Sequence, residues 1–281
     1  LCVKAGAFPF FAWLPLSYPV ASPPVQAMFS ALTAKVGAYA VIRVVGEIGA
    51  ADAAFFTPTL GWVATITMIT GVLGAAYHYD IRRILAFHSV SQIGYVLLAA
   101  AIGGAAGFTA SAFFILHHVI VKANLFLIGG LMARSAGSYD LRSMGGLVRS
   151  RPVLAVLFGI SASSLIGIPP LSGFWAKVLV VKASFASEHW VWGASALMVG
   201  ALTLFSMSKI WLEAFWKPHP FALGSSASDS QATAPLPRGA LAACATLAAL
   251  AVAIGVAPEP LIRFLDHAAA ALPAVNAGAL P

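Results

Sequence analysis

The chain has 281 residues, 60% of them hydrophobic and 9% charged, with a mean hydropathy of +0.91, whereas an average soluble domain has about a quarter of its residues charged. This composition excludes a soluble globular enzyme and predicts an all-α, polytopic integral membrane protein. The net charge of +7 would suggest nucleic acid in a soluble chain; in a membrane protein lysine and arginine set topology, so no nucleic-acid partner is expected.

At roughly 20 residues per crossing, with Pro, Gly and charge clusters as punctuation, about eight spans are predicted. They run at 1–17, 24–46, 58–77, 82–103, 108–133, 153–187 (interrupted), 190–216 and 239–258. Together they make one transmembrane domain, 1–258, followed by an amphipathic tail, 259–281. The first residue is Leu1 and no charged lead-in precedes the first apolar segment, so an N-terminal part is expected to be missing.

The first span, KAGAFPFFAWLPLSYP (4–19), carries Lys4 and is interrupted by prolines; it is either a kinked helix or a discontinuous one. In the second, Lys35 lies 11 residues after Pro24 and 8 before Arg43, which at about 1.5 Å per residue is near mid-span. The fourth contains AFHSVSQIGY (86–95), where His88, Ser91 and Gln92, with Ser89, make a polar face. That face serves either as interhelical hydrogen bonding or as the lining of a water-filled path.

The fifth span reads HHVIVKANLF at 117–126. His118 and Lys122 share one helix face, with Ser111 further back on the same stripe. An imidazole beside an amine in a low-dielectric interior has the makings of a proton relay. His117 points about 100° away and is read as a packing or supporting residue. No Cys, Asp or Glu stands at ligand spacing, so no metal is expected. In the sixth span, SLIGIPPLSGFWAK (164–177), Pro169 and Pro170 remove two backbone donors and Gly173 frees the backbone, which predicts two half-helices ahead of Lys177. Discontinuous helices near the midplane occur in secondary transporters.

A lysine at mid-bilayer costs about 2.5–3.5 kcal/mol on insertion scales. Lys182, Lys209 and Lys217 can snorkel from helix ends, but Lys35 and Lys122 call for a function, and an amine that exchanges a proton near neutral pH supplies one. All nine acidic residues fall in loops, helix ends or the tail, so the counter-charge is expected from missing helices or another subunit. Cys2 and Cys244 sit in apolar runs without a CxxC and read as small hydrophobes. Threading the spans puts Arg82, Arg83, Arg134, Arg142, Arg149, Arg151, Lys209, Lys217 and Arg238 on one face, against Arg43, Lys182 and Arg263 on the other. The first face is therefore predicted to be cytoplasmic.

Four stretches, FPFFAWLPLSYPVASPPVQAMFSALTAKVGAYAVIR (8–43), DIRRILAFHSVSQIGY (80–95), HHVIVKANLFLIGGL (117–131) and GIPPLSGFWAK (167–177), carry a resemblance. In that order they resemble the proton-conducting antiporter-like family, which includes the large membrane subunits of respiratory complex I and the A-type and D-type subunits of Mrp Na+/H+ antiporters. The wording is most similar to the D-type branch. The resemblance implies the second half of a fourteen-helix fold with one or two discontinuous helices. It matches Lys4 to the family's seventh-helix lysine and Lys35 to the eighth-helix lysine bridging two half-channels. His118 and Lys122 match the eleventh helix, and Lys177 the outlet residue of the twelfth. It further implies a multi-pass subunit of a hetero-oligomeric complex in a bacterial plasma membrane, exchanging protons for Na+ or another monovalent cation, with no cofactor of its own. A redox-driven pump subunit of the complex I or hydrogenase type is the alternative. Leu16, where the family has an aspartate, and Pro23, where threonine is common, depart from the pattern.

Overall fold

The computed structural model describes residues 1–47, 52–218 and 235–271; most of the polar link at 225–237 and the last part of the tail lie outside them. Among the described residues the chain is helical, and its one extended pairing is a bridge between Asp80 and Asp140. The elements are α1 (Cys2–Ala5), α2 (Trp13–Ser17), α3 (Pro23–Met28), α4 (Ala34–Glu47), α5 (Ala53–Tyr77), α6 (Ile81–Ile102), α7 (Gly104–Ala136), α8 (Leu147–Ser150), α9 (Pro152–Ile166), α10 (Ser172–Ala186), α11 (Trp190–Ile210), α12 (Arg238–Val256) and α13 (Glu259–Ala270). A π-type turn, Phe29–Thr33, joins α3 to α4, and another, Trp211–Trp216, extends α11.

Among the described residues six continuous helical stretches are long and apolar enough to cross a membrane: 23–45, 53–77, 81–102, 104–136, 190–216 and 238–256. The other two predicted crossings are the broken pairs α1/α2 and α9/α10. Two boundaries differ from expectation. α5 begins at Ala53 and takes Pro58 into its second turn, where the ring deprives only an end carbonyl of its partner. The link between the fourth and fifth spans contracts to Gly103, because Ala105 and Ala106 favour helix and the chain turns at Gly103 and Gly104, φ 69° and 62°. Pro23 opens α3 as its first residue, where proline's fixed φ suits the helix and its missing N–H costs nothing.

α6 is the axis of the molecule, buried almost without interruption from Ile84 to Ala101. Small residues let its neighbours close in: a Cβ on Gly71 of α5 would come within 2.4 Å of the Ser91 nitrogen. Outward faces of α5, α9, α11 and α12 present Leu73, Val156, Phe205 and Leu250, apolar surface suited to lipid. α7, at 33 residues, is about 50 Å long and exceeds the roughly 30 Å hydrocarbon core. The amphipathic α13 lies against it, with Thr109 Oγ1 donating to Asp266 at 2.6 Å.

On the face predicted to be cytoplasmic, two copies of one short motif meet. Tyr79-Asp80-Ile81-Arg82 leads into α6 and Tyr139-Asp140-Leu141-Arg142 follows α7. The Ile81 N–H donates to the Tyr139 carbonyl at 3.1 Å and the Leu141 N–H to the Tyr79 carbonyl at 3.0 Å. Each aspartate accepts from the arginine two residues on, through its backbone N–H and its guanidinium. Each guanidinium then lies over the tyrosine of the other copy, Arg82 at 4.0 Å from the Tyr139 ring and Arg142 at 5.0 Å from Tyr79. The Arg142 hydrogen bonds hold the Asp140 carboxyl below the usual carboxylate range.

Candidate functional site: a buried basic line

Lys35, Lys122 and Lys177 stand on α4, α7 and α10, and one polar line joins the first two. At Lys35 the π-type turn loosens the ladder of i→i−4 bonds, and the Lys35 amine donates to the Ser30 carbonyl. The Ser30 hydroxyl meets the Ser89 hydroxyl of α6 at 3.1 Å. Ser89 in turn donates back to the Leu85 carbonyl at 3.2 Å, and the same oxygen receives Lys122 Nζ at 2.5 Å. Lys122 is completely buried and Lys35 is 5% exposed. Two deep amines on different helices are thus linked through two backbone carbonyls and a pair of hydroxyls.

One turn back along α7 is His118, fully buried, with neither ring nitrogen bonded to a protein group. It feels the fields of Lys35, Lys122, His117 and His88, all basic. Gln92 of α6 is likewise buried with both amide atoms unpaired, as is Nδ1 of His88. Such groups need a polar neighbour, so these three mark a buried polar region beside the line. The other His88 nitrogen meets Ser206 of α11 at 3.0 Å.

The second group forms at the break between α9 and α10. α9 ends at Gly167, whose φ of 96° an L side chain rarely adopts, and the chain passes through Pro169 and Pro170 before α10 opens. Gly173 then lies against α9 so closely that a Cβ would fall 1.7 Å from the Ser164 carbonyl and 2.9 Å from His117 Cε1. This contact brings Ser172 within 2.9 Å of His117 Nδ1 and 3.1 Å of the Ser164 hydroxyl. Half-buried Lys177 reaches back and donates to the Ile166 carbonyl at 2.6 Å, placing its positive charge at the C-terminal end of α9, where the helix dipole favours it. The break at 6–12 is built the same way: α1 ends on Gly6 at φ 77°, and the Trp13 indole of α2 donates back to the Val3 carbonyl at 2.7 Å. The first span is therefore discontinuous rather than kinked.

The expected site residues divide as follows. Lys35, His118, Lys122 and Lys177 are inside, with His88 and Gln92 buried beside them. His117, expected as a packing or supporting residue, meets Ser172 and ties α7 to the helix break. Ser91 donates to the Met68 carbonyl of α5 and Ser111 to the Val96 carbonyl of α6, so both fasten helices rather than join the line. Lys4 is exposed on α1; only its backbone approaches the line, packed on Gly37 two residues beyond Lys35. Sequence reasoning passed over Ser30, Ser164 and Ser172. The one signal for them is a serine within a turn or two of a deep lysine or a helix break. Among the described residues no carboxylate pairs with Lys35, Lys122 or Lys177, and no group of three His, Cys, Asp or Glu is placed to hold a metal ion. What the arrangement offers chemically is a relay of bases through a low-dielectric interior.

Comparison with known proteins gives concordant results. A family model described as NADH:quinone oxidoreductase/Mrp antiporter, TM, matches residues 1–206. The D-type Na(+)/H(+) antiporter subunit of Alkalihalophilus pseudofirmus is 40% identical over 262 residues, covering 93% of this chain and 52% of the relative; the chain spans about half the length of the curated relatives it matches. In the structure of the Mrp complex from Dietzia sp. DQ12-45-1b, one chain superposes with a TM-score of 0.85 at 34% identity, covering 99% of this chain and 59% of that one. A chain of the membrane-bound sulfane sulfur reductase, an archaeal respiratory membrane complex, gives 0.84 at 26% identity, covering 99% and 56%.

Proposed function

The chain belongs to the NADH:quinone oxidoreductase/Mrp antiporter transmembrane family, and from that premise we propose that it conducts protons as a subunit of a multisubunit Na+/H+ antiporter in a bacterial plasma membrane. The observation that carries the reading is the buried line Lys35–Ser30–Ser89–Leu85 carbonyl–Lys122, with a second buried group, His117–Ser172–Ser164, and Lys177 at the helix break. An amine holds a proton or yields one and serine hydroxyls both accept and donate, whereas the Ser30 and Leu85 carbonyls only accept; the line holds the two lysines in register, and water beside it completes the route from Lys35 to Lys122. Two ammonium charges at this depth repel strongly, so arrival of a proton at one lysine drives the next forward. His118, Gln92 and His88 provide the polar lining for water between the two groups, and Lys4 stands at the exposed end nearest Lys35. The D-type antiporter relative supports Na+ as the exchanged cation, and its naming as a subunit supports other membrane subunits as partners.

A second reading, a proton-pumping subunit of a membrane-bound oxidoreductase, is favoured by the likeness to the sulfane sulfur reductase complex. The two are separated in vesicles that hold the protein in its native complex and lack other sodium/proton exchangers. The antiporter reading expects sodium-dependent dissipation of an imposed pH gradient, lost in Lys35→Ala and Lys177→Ala while assembly persists. Absence of sodium-dependent flux in the wild type would leave the redox-driven pump as the function.

A further inference from the structure

Two of the three interior lysines rest on aromatic rings. Lys122 Nζ lies 5.1 Å from the centroid of Phe126, one turn along α7, and Lys177 Nζ lies 5.4 Å from that of Tyr95, which comes from α6. Both rings are fully buried and fixed by neighbours. Tyr18 meets Phe126 edge-on at 5.6 Å; Tyr95 stacks on Phe114 at 5.2 Å and donates its hydroxyl to the Ala196 carbonyl at 2.5 Å. The titratable groups facing Lys122 are Lys35 from α4, His88 from α6 and His118 on α7; those facing Lys177 are His117 from α7 and His88 from α6. All are bases, so none supplies a negative partner for an ammonium. The negative face of an aromatic ring does, and its attraction grows when the site is dry.

We propose that Phe126 and Tyr95 are positioning residues that act as neutral counter-charges, each holding its lysine in the protonated state between proton transfers. The proposal rests on the reading of these lysines as proton carriers. A ring has an advantage over a carboxylate here, since it stabilises the ammonium without taking the proton itself. Lys35 has no such ring among the described residues and is held by the Ser30 carbonyl alone. The line therefore contains two kinds of station, two seated on rings and one on a peptide oxygen.

The test uses the protein in its native complex, with Phe126 replaced by mono-, di- and trifluorophenylalanine, which keep the shape of the ring while draining its negative face. Two quantities are read: the pH midpoint of proton-coupled transport, and the midpoint of the Lys122 15Nζ resonance followed by solid-state NMR. Weakening the ring removes support from the ammonium, so both midpoints are expected to fall stepwise with fluorine number, by about one pH unit at full substitution. At the second seat, Tyr95→Phe keeps the ring and is expected to leave the Lys177 Nζ midpoint in place, whereas Tyr95→Leu lowers it. A fluorine series that leaves the Lys122 midpoint unmoved overturns the proposal, as does equal behaviour of the two Tyr95 variants. If Lys122→Ala transports normally, it is the proton-carrier reading that fails, and the resonance titration still decides the role of the ring.

Discussion

Ser89 is the residue on which the line between Lys35 and Lys122 turns, because its hydroxyl touches both Ser30 and the carbonyl that receives Lys122. Ser89→Ala removes that junction without changing the packing of a small buried side chain. We expect transport to fall by up to about tenfold with assembly unaltered, the scale of one hydrogen bond lost from a transfer path, measured as initial rates in vesicles. Gly173 shows the opposite sensitivity. Its Cα faces the Ser164 carbonyl with no room for a methyl group, so Gly173→Ala should cost about 1–3 kcal/mol of stability through overpacking, read as earlier thermal unfolding in detergent. It should also separate Ser172 from His117. The lysines could be picked out of the sequence by depth alone, since charge amid apolar residues is conspicuous. Their serine partners could not, because a serine on a membrane helix looks the same whether it bonds its own turn, as Ser184 does, or a neighbour, as Ser30 does.

At the scale of elements, the break before α10 was legible because two adjacent prolines leave a helix no alternative. The break at 6–12 was not, because Gly6 and Pro9 suit a kink equally well; what settles it is the packing of α1 on α4 and of α2 on α6. The twin Tyr-Asp-x-Arg motif likewise makes sense only when the folded chain brings positions 60 residues apart together. Its strength can be measured by a double-mutant cycle of Arg82→Gln and Tyr139→Leu, with an expected coupling of about 0.5–1 kcal/mol. pH gives an independent test. Asp140 is depressed below its unfolded value, so the stability it contributes is complete at neutral pH and is lost as pH falls through its folded value. Arg142→Gln should therefore unfold earlier than wild type at pH 7, and the difference should disappear once the pH is well below about 4.

For the whole molecule, the charge asymmetry sets an orientation. In a background of Cys2→Ser and Cys244→Ser, Arg149→Cys should react with an impermeant maleimide only from the cytoplasmic side and Glu188→Cys only from the other; both positions are exposed. The reverse pattern would invert the topology. The clasp has a mechanical consequence for this architecture. α6 and α7 run antiparallel, joined at one end by the single residue Gly103 and at the other by the Asp80–Asp140 bridge, so the pair is a closed linkage, a four-bar frame with both short sides fixed. Closure at both ends resists sliding of one long member along the other, because any slide must break the two backbone bonds of the bridge. The register between the Leu85 carbonyl and Lys122 is thus restrained from both ends, a restraint that the broken pairs α1/α2 and α9/α10 lack.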